Sequence, residues 1–146
     1  DVKVAGTPPL AAGGNERAVY VAHPEGISIV DLTARTTNRL KGPAGIALGG
    51  FERIRFFRGS IVGVQALEDG IHRIVRLELN RAGTSVTGGE ILDESSGNET
   101  GPAFPTITGD DLYYLEVVSP DGSSASSDSS KLPATVDIAV RRIRLR

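Results

Sequence analysis

The hydrophobic residues of this chain fall in short runs that turn residues separate, and they form no long stripe. No window carries apolar residues at a period of about 3.6 over three turns, so amphipathic helices are not expected. Short runs rich in Val, Ile, Leu and Tyr between Gly, Pro and Asp are typical of β-strands. The pattern therefore predicts an all-β chain, with strands over residues 18–23, 26–32, 36–40, 52–57, 60–67, 72–79, 85–92, 111–118 and 136–146.

Turn residues between these runs indicate hairpins, because each turn offers a Gly that can adopt positive φ or an Asp that can bond its own backbone. The turns are Arg58-Gly59, Asp69-Gly70, Ala82-Gly83 and Gly109-Asp110.

The last predicted strand contains a change of phase. Ile138 and Val140 share one face of it, whereas Ile143 and Leu145 fall on the other face. An extra residue in a strand shifts the alternation by one position. We therefore expect a β-bulge at Arg141-Arg142.

A unit of strand, short link and longer strand recurs along the chain at roughly 40 to 50 residues, which is the period of β-propeller blades. The sequence thus predicts a single β-propeller domain over residues 1–146, with about three four-stranded blades. Their approximate bounds are 5–44, 45–100 and 101–146, and residues 1–4 form a spare strand. The Ser-rich stretch Ser119–Lys131 is expected to be a polar loop of the last blade.

Composition and charge exclude several classes of partner. The net charge is -2, and the charged residues are spread without a basic run that could neutralise a row of phosphates, so nucleic acid is not an expected partner. No apolar run reaches the roughly 18 residues that span a bilayer, so a soluble chain is expected, without a membrane partner. Cys is absent, which excludes disulfides and thiolate metal sites. Met is absent too, as expected for a processed product or a piece of a longer protein, and compatible with a secreted or periplasmic chain.

Several stretches, taken in order, resemble a known family. They are FFRGSIVGVQ, then HRIVRLELNRAGTSVTGGEIL, then PAFPTITGDDLYYLEV and a closing IRLR. From Gly45 to Arg146 this layout resembles the C-terminal half of six-bladed propellers of the SMP-30/gluconolactonase/LRE-like superfamily. The resemblance implies that the chain is half of such a ring.

Active members of that family hold a divalent metal in the central channel with carboxylate and Asn side chains. The resemblance implies Glu52, within Gly50-Phe51-Glu52-Arg53, as a ligand of Ca²⁺, Mg²⁺ or Zn²⁺. The alternative is that Glu52 is a strand-end charge paired with Arg53 or Arg55. Where relatives carry an Asn ligand, this chain has Thr7-Pro8-Pro9, and it has no counterpart of their first-blade Glu.

His23 is the candidate catalytic residue, since it follows a strand directly and precedes Pro24. At a blade end near the channel it would serve as a general base. The alternative is an ordinary loop histidine, and the same interpretation applies to His72. Asp110-Asp111 is interpreted as a turn, with acid and base catalysis as its alternative.

Two functions follow from these observations. An isolated half propeller leaves apolar faces and strand edges uncovered, so we expect a second half-propeller as partner, either another copy or the missing half as a separate chain. The chain would then be a non-catalytic binding or assembly module, with a small molecule as a further candidate ligand. The alternative is a metal-dependent lactonase or esterase-like hydrolase with a degenerate site.

Overall fold

The structure is a computed structural model, and it describes residues 9–14, 17–68, 70–95, 100–118 and 137–146. Within these ranges the chain forms strands and no helix, which confirms the all-β prediction. The spare strand expected over residues 1–4 and the Ser-rich loop Ser119–Lys131 lie outside the described residues. The same holds for Thr7 and Pro8.

The described strands form three antiparallel sheets in chain order. The first sheet contains β1 Leu10–Ala12, β2 Ala18–His23, β3 Gly26–Asp31 and β4 Thr36–Arg39. The second contains β5 Phe51–Phe57, β6 Ser60–Ala66, β7 His72–Leu79 and β8 Val86–Glu94. The third contains β9 Thr100–Thr108, β10 Asp111–Val118 and β11 Asp137–Arg144. In each sheet, strands that are neighbours in sequence are also hydrogen-bonded neighbours.

The hydrophobic pattern did not predict β1 or β9. β9 contains Pro102 and Pro105, which lack the N–H group that a central strand needs. In the structure, β9 lies at an edge of its sheet, and its pairing with β10 shifts register twice. Because proline is accepted at sheet edges and bulges, both prolines fit this strand.

The predicted hairpin at Arg58-Gly59 is confirmed. Phe57 pairs with Ser60, and the two residues between them both have positive φ, 44° and 79°, as a type I′ turn requires. The Arg58 guanidinium lies 5.2 Å from the centre of the Phe57 ring, and its Nη2 is 2.7 Å from Asp110 Oδ1. The turn thus connects the second sheet to the third.

The second sheet lies between the other two, and its strand β6 is buried from Ser60 to Gln65. Ile61 packs in a core shared with the first sheet, whereas Val62 packs in a core shared with the third sheet. The first core includes Tyr20, Ala22, Ile27, Ile54, Leu77 and Val86. The second includes Phe57, Ile74, Leu112, Tyr114 and Leu145. The middle layer therefore separates two cores that share no side chain.

The bulge expected at Arg141-Arg142 was wrong. β11 pairs with β10 in one continuous register, from Asp111 opposite Arg144 to Val118 opposite Asp137. A regular strand accommodates the change of phase because its apolar residues lie on opposite faces at the two ends of β11. Ile143 packs against the second core, whereas Ile138 and Val140 stay on the outer face of the sheet with 61% and 68% of their surface exposed.

A polar contact joins the second and third sheets at the border of their shared core. The Tyr114 hydroxyl donates a hydrogen bond to Asp93 Oδ2, while the ring is almost fully buried. Burial raises the pKa of Tyr114 well above its ordinary value, and the hydrogen bond to Asp93 adds to this. The folded state therefore holds this phenol proton more tightly than the unfolded chain does.

Gly63→Ala is expected to lower the free energy of unfolding by about 1–3 kcal/mol, because a Cβ there would lie 2.5 Å from Arg53 O and 2.8 Å from Phe51 Cδ1. Urea unfolding measures this. Gly88→Ala is the matched control, since its Cβ would meet only the flexible Glu78 carboxylate, at 3.1 Å. Equal stability of the two variants would contradict the tight packing of the middle sheet.

Stability is expected to decrease with rising pH above the ordinary phenol pKa of about 10, because the raised pKa of Tyr114 stabilises the fold fully only below that value. In Tyr114→Phe the decrease should be shallower, and the remaining slope should reflect Tyr20, whose pKa burial also raises. Denaturant unfolding at several alkaline pH values measures both slopes. Tyr113→Phe, on the opposite face, is the control, and an unchanged slope in Tyr114→Phe would contradict the assignment.

Candidate functional site

Glu52, the predicted metal ligand, lies at a β-bulge near the start of β5. Phe51 pairs with Gln65 and Arg53 pairs with Val64, so Glu52 is the extra residue between them. A bulge turns the side chain of the extra residue away from the regular alternation. The Glu52 carboxylate is exposed, and its Oε2 lies 3.7 Å from His72 Nε2.

This partner differs from the arginines considered for Glu52. Arg53 Nη1 donates to the backbone carbonyl of Glu52 at 2.7 Å, and Arg55 Nη1 donates to that of Ile54 at 2.9 Å. Both guanidinium groups therefore bind main-chain oxygen, and the carboxylate is left to face an imidazole.

His72, for which no functional role was predicted, is the first residue of β7, where the predicted strand 72–79 begins. Its backbone is held by Ser95, whose N and Oγ donate to the His72 carbonyl at 2.8 and 2.9 Å. The imidazole is about a quarter exposed, and its Nδ1 is buried without a hydrogen-bond partner among the described residues. β6 runs antiparallel to both neighbours, so the starts of β5 and β7 meet at one edge of the sheet. That meander order was the signal that could have paired Glu52 with His72.

Gln65, which was not predicted as a site residue, positions the segment that leads to Glu52. Its side chain is 1% exposed, Nε2 donates to Ala47 O at 3.1 Å and to Gly49 O at 2.5 Å, and Oε1 accepts from Arg73 Nε at 2.9 Å. These bonds fix the segment that enters β5. An amide inside the apolar run SIVGVQAL was a signal, because a buried amide needs such partners.

Two glycines allow the same segment to pack closely against the backbone of neighbouring residues. A Cβ on Gly49 would lie 2.6 Å from Pro24 O, and a Cβ on Gly50 would lie 2.6 Å from Ala66 O. Gly50 also has a φ of +77°, which residues with a side chain rarely adopt. The turn that follows His23 therefore packs against the segment that leads to Glu52.

His23, the predicted catalytic residue, is the last residue of β2 and is partly buried. Its Nε2 lies 3.1 Å from Ser28 Oγ, a hydrogen bond within the same hairpin. Glu52 and His23 thus have different partners. Among the residues with assigned positions, no three His, Asp or Glu side chains come together as a metal site would require. The metal role of Glu52 and the catalytic role of His23 stay predictions.

The neighbouring carboxylates at the β9–β10 turn also have separate surroundings. Asp110 pairs with Arg58, as described above, whereas Asp111 Oδ1 is buried with no hydrogen-bond partner in the described part of the chain. Two carboxylates that share a proton would have to face each other. The geometry gives no support to an acid and base pair at this turn.

Comparison with known proteins adds no relative to this picture. No protein family and no curated protein matches the chain. In the described residues, no helix is long and apolar enough to cross a bilayer. The interpretation of the Glu52–His72 site therefore depends on its own geometry, in which two potential ligands and one buried amide are held at one edge of the middle sheet.

Gln65→Met is expected to lower the free energy of unfolding by about 1–3 kcal/mol, because the carbonyls of Ala47 and Gly49 would lose their hydrogen bonds from the buried Gln65 amide. Denaturant unfolding measures the loss. The NMR signals of the His72 ring should also shift, since the segment that carries Glu52 would be released. Asn38→Leu, which also replaces an amide by an apolar side chain but at an exposed position of β4, is the control. A Gln65→Met protein with wild-type stability and unchanged His72 signals would contradict the positioning role.

Proposed function

We propose that the chain is about half of a six-bladed β-propeller of the SMP-30/gluconolactonase/LRE-like type. In this proposal it acts as a non-catalytic binding and assembly module, and a second chain that contributes the remaining blades completes the ring. The observation that carries the proposal is an uncovered apolar face on the third sheet. The following contacts support it.

Apolar side chains occupy part of the outer face of the third sheet, which Arg142 shares. Ile138 and Val140 alternate on β11, Leu115 lies opposite Val140, and Ala103 lies opposite Leu115 on β9. Residues that are directly paired, or two apart on one strand, share a face of the sheet. Exposed apolar patches of this kind mark interaction surfaces more often than chance exposure does.

The opposite end of the stack has a similar but weaker character. On the outer face of the first sheet, Leu10 is 54% exposed, and the paired Val19 and Val30 are only partly buried. The second sheet, by contrast, is covered on both faces by its neighbours. Each end sheet therefore carries apolar side chains on both of its faces. The middle sheet covers one of these faces, and no described sheet covers the other.

The contacts between sheets also fit blades around an axis. β1 contacts β5, and β5 contacts β9, so the first strands of the three sheets adjoin one another. In a propeller the first strand of each blade lines the central channel. The partner that this arrangement needs is another set of antiparallel sheets with apolar faces. The outer face of the third sheet of one chain would pack on the first sheet of the other. Such a heterologous contact can close into a ring.

The hydrolase alternative has less support in the geometry. It needs several metal ligands around one point, and the described site offers Glu52 and His72 as a pair. Hard divalent cations such as Ca²⁺ and Mg²⁺ need more oxygen ligands than one carboxylate provides. The binding and assembly function is therefore the one we propose.

The wild-type chain is expected to have a native mass of twice 15.3 kDa by light scattering coupled to gel filtration, because two copies supply six blades. Val140→Glu places a charge among the exposed apolar side chains of the outer face and should return the protein to the mass of one chain. Ile91→Glu is the matched control, since Ile91 is a 51% exposed strand residue of the middle sheet. A folded wild-type monomer, or a dimer that both variants leave intact, would overturn closure by a second copy.

A further inference from the structure

A cavity of about 200 Å³ lies between the first and second sheets, at the end of the strands opposite to Glu52. It opens where β1, β5 and β7 end. Its walls are two aromatic rings, several glycines and the turn that follows β7. None of the residues discussed for the Glu52–His72 site lines it.

The aromatic wall is held rigidly. The rings of Tyr20 and Phe56 are stacked with their centres 6.1 Å apart and their planes within 5° of parallel. The Tyr20 hydroxyl donates to Gly83 O at 2.9 Å, and burial raises the pKa of this phenol above its ordinary value. The ring is therefore neutral near pH 7, and its hydrogen bond fixes it across the two sheets. Since Tyr20 is only 3% exposed, a planar ligand would contact mainly Phe56, which the stacked Tyr20 ring holds in place.

Glycines let the backbone of the cavity wall approach the two rings closely. A Cβ on Gly14 would lie 2.6 Å from Phe56 Cε1, and a Cβ on Gly83 would lie 2.5 Å from the Tyr20 hydroxyl oxygen. Gly59 has the opposite property, since a Cβ there would meet no atom within 4 Å. Glycine thus brings the backbone against both rings and leaves part of the wall without any side chain.

An available cation lies at the mouth of the cavity. Arg81 belongs to the turn that the hydrogen bond from Gly83 N to Asn80 O closes at 2.8 Å, and Asn80 Oδ1 accepts from Thr84 N at 2.8 Å. The Arg81 side chain is exposed, and within the described ranges it pairs with no carboxylate. Elsewhere among the described residues, Arg39, Arg58 and Arg141 pair with carboxylates.

We propose that this cavity binds a small planar aromatic carboxylate, with its ring against Phe56 and its carboxylate on Arg81. A cavity of about 150 Å³ suffices for one benzene ring, so the volume here admits a ring with one attached carboxylate. The planar guanidinium fork matches a carboxylate in two parallel hydrogen bonds. The site lies within the described sheets, and so the proposal does not depend on the closure of a ring.

The test is an NMR titration of the full chain with benzoate, followed through the amides of Gly13, Gly59 and Gly83, with Gly109 as the distant reference. We expect saturable shifts at the three cavity glycines, with a dissociation constant of about 1 mM or lower, which is ordinary for a ligand of this size. Cyclohexanecarboxylate, which lacks the aromatic ring, and benzyl alcohol, which lacks the charge, should each bind more weakly. Shifts that stay linear, or that are as large at Gly109, would overturn the proposal.

Variants separate the contributions of charge and space. Arg81→Gln should weaken benzoate binding by about tenfold or more, while the affinity for benzyl alcohol stays the same. Arg35→Gln is the matched control, because Arg35 is also an exposed turn arginine but does not line the cavity. Equal benzoate binding by wild type and Arg81→Gln would overturn the assignment of the carboxylate to Arg81.

Discussion

The burial of β6 on both faces is the constraint on which the rest of the structure depends. A strand with apolar side chains on alternate faces can be buried only if a second layer covers each face. Ile61 packs towards the first sheet and Val62 towards the third, so the two cores are built from adjacent residues of one strand. The hairpins on either side of β6 then fix the register of β5 and β7.

The same constraint applies to the two end sheets, where it is not met by the described residues. β11 leaves Ile138 and Val140 exposed, although its register with β10 is regular and its other face is well packed. Exposed apolar side chains gain free energy when another sheet covers them, at about 25 cal/mol for each Å² of apolar surface removed from water. The stack is therefore complete in its middle layer and unsatisfied at its end, which is the physical basis for the assembly that we propose.

The two candidate sites lie at opposite ends of the strands and differ in what holds them. At the start of β5, polar groups do the positioning, because the Gln65 amide fixes the segment before Glu52 and Ser95 fixes the backbone of His72. At the other end, packing positions the site, since the stacked rings of Tyr20 and Phe56 lie against glycines. One site is exposed and charged, whereas the other is a half-open cavity with aromatic, glycine and polar walls.

The sequence by itself determined the all-β class, the strands with clear alternation and the tight turn at Arg58-Gly59, because these depend on local periodicity and on residues that accept positive φ. β9 could not be predicted in this way, since its prolines exclude a strand unless the strand lies at an edge. Only the tertiary structure decided which side chains meet. Glu52 faces His72 because of a bulge and a meander, and Ile138 is exposed because no described layer covers it. Such contacts join residues far apart in the chain, and no local pattern encodes them.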